Sequence, residues 1–305
     1  MAGHETIVFD NLSRGRRELV RWGTLTIGDV RDRAALDEVF RRRKIDAVVH
    51  LAALAYVEES TINPGAYYDV NVNGARNLLE AMTNSGVRAL AFSSTCAVYG
   101  QPSALPISEQ TPLAPINPYG FTKLVCERMM DDFVKAYGIK SVRLRYFNAA
   151  GADPDGEIGE SHDPETHLIP LILDVALGKS EKVSIFGFDY PTADGTAVRD
   201  YIHVSDLAAA HVKALDYVLS GGPSMALNFG TGRGASVGEI VACAERVSGR
   251  AIKFEKLSRR AGDPACLVAD PSAAAARLGW VAKRSGLEEI LHDAWAWHSK
   301  QHRGD

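Results

Sequence analysis

The chain has 305 residues, enough for one large or two ordinary domains, and its 46% hydrophobic and 24% charged content is that of a folded globular protein. A formal charge of -4 gives no electrostatic reason to expect nucleic acid or an anionic membrane as partner, and no apolar run approaches the roughly 18 residues of a membrane span. Cys96, Cys126, Cys243 and Cys266 stand apart with no Cys-x-x-Cys pair, so neither a disulfide framework nor a metal site is expected. The N-terminus lacks the basic-then-apolar order of a signal peptide, and a reducing, cytoplasmic setting fits.

Apolar, strand-like runs come first at TIVFD (6–10), TLTIGDV (24–30), AVVHLAA (47–53), ALAFSST (89–95) and SVRLRYFN (141–148). Between them, 34–43 and 73–82 carry apolar residues at helical spacing, and the cations at 41–44 suit the last turn of a helix. Near-continuous apolar strands with connections long enough for crossover helices predict an α/β fold, a doubly wound parallel sheet covered on both faces. After Asn148 the stretch AAGADPDGEIGESHDPETH reads as a long loop leaving the sheet. Shorter strands (183–186, 225–229) and helices (204–219, 237–247, 287–298) follow. They predict a smaller α/β substrate-binding domain made of 151–199 and 223–305, beside a dinucleotide-binding domain made of 1–150 and 200–222.

The sharpest chemical signal is PYGFTK, 118–123. Tyr119 and Lys123 are four apart on a helix opened by Pro118, so both side chains share a face. A free tyrosine has a pKa of about 10, and a neighbouring ammonium favours its ionised form. The motif follows the strand that ends in Ser93, Ser94 and Thr95, and open α/β sheets bind ligands at strand carboxyl ends. Tyrosine and hydroxyl together make a proton-handling pair for moving hydride at a carbinol carbon. FGTGRGAS (229–236) imitates a dinucleotide fingerprint, but its spacing is GxGxG and too little α/β sequence follows, so it is expected to be a loop of the substrate region.

With FDNLSRG, VVHLAA, YYDVNVNG, SSTCAVYG, PYGFTK, RYFNAAGA, FGFDYPTADGTAVRDYIHVSDLA and RRAGDPA in this order, the chain resembles the extended short-chain dehydrogenase/reductase family. Within it, the chain is similar to the branch that epimerises UDP-hexoses at C4. The resemblance runs nearly end to end. It implies a Rossmann-type sheet, NAD as cofactor, a UDP-sugar as substrate and a homodimer formed by helices around 70–82 and 119–133. It also implies site residues. Tyr119, Lys123 and Thr95 would be catalytic. Asp10 and Asn11 would lie at the adenosine ribose, Asp29 and Val30 at the adenine, and Leu51, Ala52, Ala53, Asn71 and Ser93 along the rest of the cofactor, with Phe147 near the nicotinamide. Asn148, Leu168, Arg199, Arg260 and Asp263 would face the substrate. The acid at Asp10 repels a 2′-phosphate, which favours NAD over NADP, and arginine forks suit a pyrophosphate.

Three departures accompany the likeness. Ala55 stands where relatives commonly have lysine, and Leu267 where a tyrosine or smaller residue lines the sugar pocket. Relatives also have a strand, a GxxGxxG loop and a helix ahead of GHE, and none of the three is in this sequence. Because that strand is central in the order 3-2-1-4-5-6, the chain is expected to be an N-terminally truncated form whose sheet is open in the middle and which binds NAD weakly. Related UDP-pentose or UDP-uronate epimerases and a non-catalytic relative are the alternatives. A 4,6-dehydratase needs an acid pair where Cys96 and Ala97 stand.

Overall fold

A computed structural model describes residues 3–260 and 263–304. In chain order the first part runs β1 (Ile7–Asp10), β2 (Thr24–Ile27), α1 (Arg33–Arg42), β3 (Val48–His50), α2 (Val57–Ile62) and α3 (Pro64–Tyr67). A π-helical turn (Tyr68–Asn73) leads into α4 (Gly74–Ser85), then β4 (Ala89–Ser93), a 3₁₀ turn (Cys96–Tyr99), α5 (Pro118–Tyr137) and β5 (Lys140–Tyr146). The second part has β6 (Asn148–Ala150), α6 (Leu168–Leu177), β7 (Val183–Phe186), β8 (Val198–Arg199), β9 (Tyr201–His203), α7 (Val204–Leu219) and β10 (Met225–Phe229). It ends with β11 (Ala235–Ser236), α8 (Val237–Ser248), β12 (Phe254–Leu257), β13 (Cys266–Leu267), α9 (Ser272–Leu278) and α10 (Leu287–Gly304).

These elements form two compact units, one of Met1–Gln101, Pro112–Arg145 and His211–Leu227, the other of Pro102–Thr111, Tyr146–Ala210 and Asn228–Asp305. The division falls after 145 where the sequence suggested 150, and it places 102–111 and 200–210 with the second unit.

In the first unit, β3, β4 and β5 pair in parallel within a sheet ordered β10-β5-β4-β3. β1 and β2 form a separate parallel pair, from Ile7 opposite Thr24 to Asp10 opposite Ile27. Among the described residues β1 and β3 are therefore each paired on one side only. Val49 and Leu51 are correspondingly exposed. β4 is buried along its whole length, because α4 and α5 lay Leu78, Leu79, Met82, Cys126 and Met130 into a core with Leu90 and Phe92. α5 starts where it does for local reasons: Asn117 accepts a hydrogen bond from the Gly120 amide at 2.8 Å, Pro118 opens the first turn, and Gly138 ends the helix at φ 74°.

The second unit has its own core, in which α6, α8 and α10 pack Ile172, Leu173, Ile240, Ala244, Ile290 and Leu291 together with Val183 and Ile185 of β7. α8 is opened by a capping box between Ser236 and Glu239. Short pairs, β6 with β9, β7 with β12, and β8 with both β11 and β13, complete it.

Candidate active site

The site in the first unit is built where β4 stops. Thr95 is extended (φ -156°, ψ 151°), and its hydroxyl oxygen accepts from the Ala97 amide at 3.1 Å, which caps the 3₁₀ turn and leaves its O–H to donate. The first turn of α5 presses against that turn: a Cβ on Gly120 would stand 2.6 Å from the Ala97 carbonyl oxygen. Only glycine permits this approach, which brings the first turn of α5, where Tyr119 sits, against the turn that follows β4. Tyr119 is half-buried, its ring edge-on to Tyr67 at 6.5 Å.

One turn on, Lys123 is 3% exposed. Its Nζ donates to the Ser93 carbonyl at 2.8 Å and lies 5.0 Å from the centre of the Phe92 ring. Burial lowers its pKa to about 8, against the opposing pull of Cys126 and Glu127. Below this lies a buried ionic network. Ser94 Oγ donates to Glu127 at 2.5 Å, the Arg145 fork donates to both oxygens of Glu127 at 2.9 and 2.5 Å, and Arg145 also donates to the Tyr99 hydroxyl at 2.9 Å. It ties β4, α5 and β5 together directly beneath Thr95.

Other expected residues stand at the carboxyl ends of successive strands. Asp10 ends β1, and one oxygen accepts from the Leu12 amide at 2.6 Å, holding Leu12 at φ 56°. Asn11 donates to Asp29 at 2.8 Å, and the Arg31 side chain grips the same carboxylate at 2.9 and 2.8 Å, holding it well below the usual carboxylate range. The structure thus brings Asn11 and Asp29 together, with buried Val30 beside them. Leu51, Ala52 and Ala53 follow β3. Asn71, placed by the π-helical turn, has its amide engaged: it accepts from the Leu54 amide at 2.8 Å and donates to the Leu54 carbonyl and to Thr122 at 3.0 Å each. Asn71 braces the 51–54 loop.

In the second unit the Phe147 amide donates to Phe229 and the Asn148 amide to Asp200, and Leu168 opens α6. Arg199 donates to Asp263 at 2.5 Å, the Asp263 amide donates to the Arg260 carbonyl at 3.3 Å, and the Arg260 guanidinium lies 4.0 Å from the centre of the Phe186 ring. Leu267 is paired in register with Arg199. The three charged residues expected on the substrate side are therefore neighbours. The glycine loop at 229–236 is accounted for as well: the Thr231 and Gly232 amides donate to the buried carboxylate of Asp200, so they are already taken where a phosphate would need them.

Residues 1–230 match the NAD dependent epimerase/dehydratase family. The chain belongs to that family.

Among similar proteins, a UDP-glucose 4-epimerase of Rhizobium meliloti is 51% identical over 99% of this chain and 92% of its own length. The crystal structure of UDP-glucose 4-epimerase from Brucella ovis in complex with NAD superposes with a TM-score of 0.94 at 49% identity, covering 96% of this chain and 90% of that one. The enzyme from Bifidobacterium longum in complex with NAD+ and UDP gives 0.93 at 37% identity, over 99% and 93%.

In this epimerase/dehydratase chain, sequence reasoning passed over Glu127, Arg145 and Asp200, and it placed Ser94 among the strand-end hydroxyls where the structure commits it to Glu127. A signal for Glu127 was present, since it follows Lys123 by four residues on the same helix face. Arg145 was visible too, as one of two arginines set between apolar residues in the strand KSVRLRY. What the sequence did not carry was their pairing.

Proposed function

We propose that the protein interconverts UDP-glucose and UDP-galactose by transient oxidation at the sugar C4, with NAD as bound cofactor. The buried Lys123 ammonium, one helical turn from Tyr119 and hydrogen-bonded two residues ahead of Thr95, is the observation that carries this reading. A buried cation with a single backbone partner is costly in a merely structural role, and it is useful beside a phenol that must ionise.

The chain's donors and acceptors fit NAD. Asp10 has one carboxylate oxygen committed to Leu12 and its second open to a ribose diol. Asn11, Asp29 and Val30 would line the adenine end. Leu51, Ala52, Ala53 and Ser93 would lie along the rest with Asn71 as their brace, and Phe147 would stand near the nicotinamide. When bound, NAD supplies the acceptor that takes the C4 hydride and returns it.

Tyr119, as phenolate, takes the proton from the sugar 4-hydroxyl and gives it back to the 4-keto oxygen. Thr95 donates to the same oxygen, and Lys123 stabilises the phenolate and binds the cofactor ribose. On the substrate side, Arg199 and Arg260 suit phosphoryl oxygens, with Asp263 orienting Arg199 and with Asn148 and Leu168 beside them. The cytoplasm and a homodimer through α4 and α5 belong to the same reading; Tyr68 and Phe121, both exposed with rings 6.4 Å apart, support that face.

Incubation with UDP-galactose, NAD and product analysis by proton NMR tests the reading. UDP-glucose must form with the 4-oxygen retained, and Tyr119→Phe must lower kcat by about 10²–10⁴-fold with little change in KM. Absence of UDP-glucose, or loss of the 4-oxygen, refutes it. Sedimentation velocity reports the dimer.

A further inference from the structure

The long loop between β6 and α6 holds a cluster that the reaction above does not use. Glu160, His162, Glu165 and His167 each turn one ligand atom inward, and these atoms all lie within 4.8 Å of one another. His162 Nδ1 is 3.1 Å from Glu160 and 3.5 Å from Glu165; His167 Nδ1 is 2.7 Å from Glu160 and 3.1 Å from Glu165. Four ligands around a tetrahedral zinc ion at about 2.0–2.1 Å stand about 3.3–3.4 Å apart. The separations of the two Nδ1 atoms from Glu160 Oε1 (3.1 and 2.7 Å) and of His162 Nδ1 from Glu165 Oε2 (3.5 Å) bracket that value, the 3.1 Å contact of His167 being to the other oxygen of Glu165. We propose that these four residues form a binding site for a divalent transition-metal ion, zinc foremost, which clamps the loop ahead of α6.

The donor set argues for this class of ion. Two imidazoles and two carboxylates suit borderline cations such as zinc, whereas magnesium prefers an all-oxygen octahedron that keeps its waters. The scaffold is already braced on its other side by α10. Trp297 Nε1 donates to the Glu160 carbonyl at 3.0 Å, its ring lies so close to Gly159 that a Cβ there would come within 2.4 Å, and Lys300 donates to the Gly156 carbonyl at 2.8 Å. The Thr166 and His167 amides both donate to Oε1 of Glu165 at 2.8 Å, fixing that carboxylate and leaving Oε2 for an ion. The cysteine pattern gave no reason to expect a metal, since no cysteine takes part.

Protein stripped with a chelator and dialysed is titrated with zinc chloride in competition with a chromophoric zinc indicator, beside the His162→Gln/His167→Gln double variant. The wild type is expected to bind one equivalent, at least 100-fold more tightly than the variant and than magnesium, with a rise in unfolding temperature that the variant lacks. X-ray absorption on the zinc-loaded wild type is expected to show a first shell of nitrogen and oxygen near 2.0–2.1 Å with two imidazoles. If the double variant does not fold, the absorption spectrum and Glu165→Gln decide in its place. Equal zinc binding by wild type and variants, or a zinc shell without two imidazoles, overturns the proposal. Neither result bears on the epimerase reading.

Discussion

Replacing Lys123 with methionine should make the protein more stable and nearly inactive. The ammonium is buried and its pKa lies at about 8 against 10.5 for the free side chain. Each unit corresponds to about 1.36 kcal/mol, so holding the charge at pH 7 costs about 3.3 kcal/mol relative to water. Methionine fills a similar volume without charge and forfeits one hydrogen bond, to the Ser93 carbonyl, worth about 1 kcal/mol, so the variant should gain about 2 kcal/mol at pH 7. The sign of the pH dependence follows from proton counts. Between pH 8 and 10.5 the unfolded wild type keeps a proton that the folded form has released, so wild-type stability rises with pH through that window. The charge penalty shrinks to about 0.8 kcal/mol at pH 10, and the advantage of the variant should be gone there. Urea unfolding of both proteins at pH 7 and pH 10 measures this, with epimerase turnover in parallel expected to drop about 10²–10⁴-fold. A variant that is less stable at pH 7 with the same gap at pH 10, or one that keeps activity within tenfold, would refute the reasoning.

Two more predictions rest on buried titratable groups in the same unit. Burial, aided by Lys123, lowers His50 to about 3. Below pH 6.5 the unfolded chain therefore takes up a proton that the folded chain refuses, and the wild type should lose about 2 kcal/mol between pH 7 and pH 5 that His50→Asn does not lose, read by urea unfolding at both values. Glu127→Ala strands the Arg145 guanidinium in the core and should destabilise by about 3–5 kcal/mol, whereas Glu127→Leu combined with Arg145→Met should recover most of that in thermal denaturation.

Where periodicity and burial act together, the sequence was easy to read. The parallel strands and α7 and α8 stood out because their side chains face a covered sheet or a packed core on every turn. The Tyr119 to Lys123 spacing was legible because a helix places i and i+4 side by side. Less legible was everything set by contacts between distant segments. That Asn71 braces Leu54, that Asp200 occupies the amides of a glycine loop, and that Glu127 and Arg145 pair beneath Ser94 are consequences of packing, and no local pattern announces them. The Glu-x-His-x-x-Glu-x-His spacing at 160–167 lay in plain view. It was passed over as part of a polar loop, since only folding shows that its four side chains turn to one point.

The π-helical turn at Tyr68–Asn73 makes this region sensitive to length in a way that point substitutions do not reveal. From Gly74 onward the buried face of α4 is locked into the core by Ala75, Leu78, Leu79 and Met82, so the helix cannot rotate to absorb a change upstream. Removing a single residue from the wide turn would restore an ordinary α-helix, locally the better hydrogen-bonded structure, yet each residue before the cut would swing by about 100°. Asn71 would leave Leu54, and the loop after β3 would lose its brace although every side chain that builds it remained. Homologous sequences aligned across 68–73 should thus vary in residue type far more readily than in residue number.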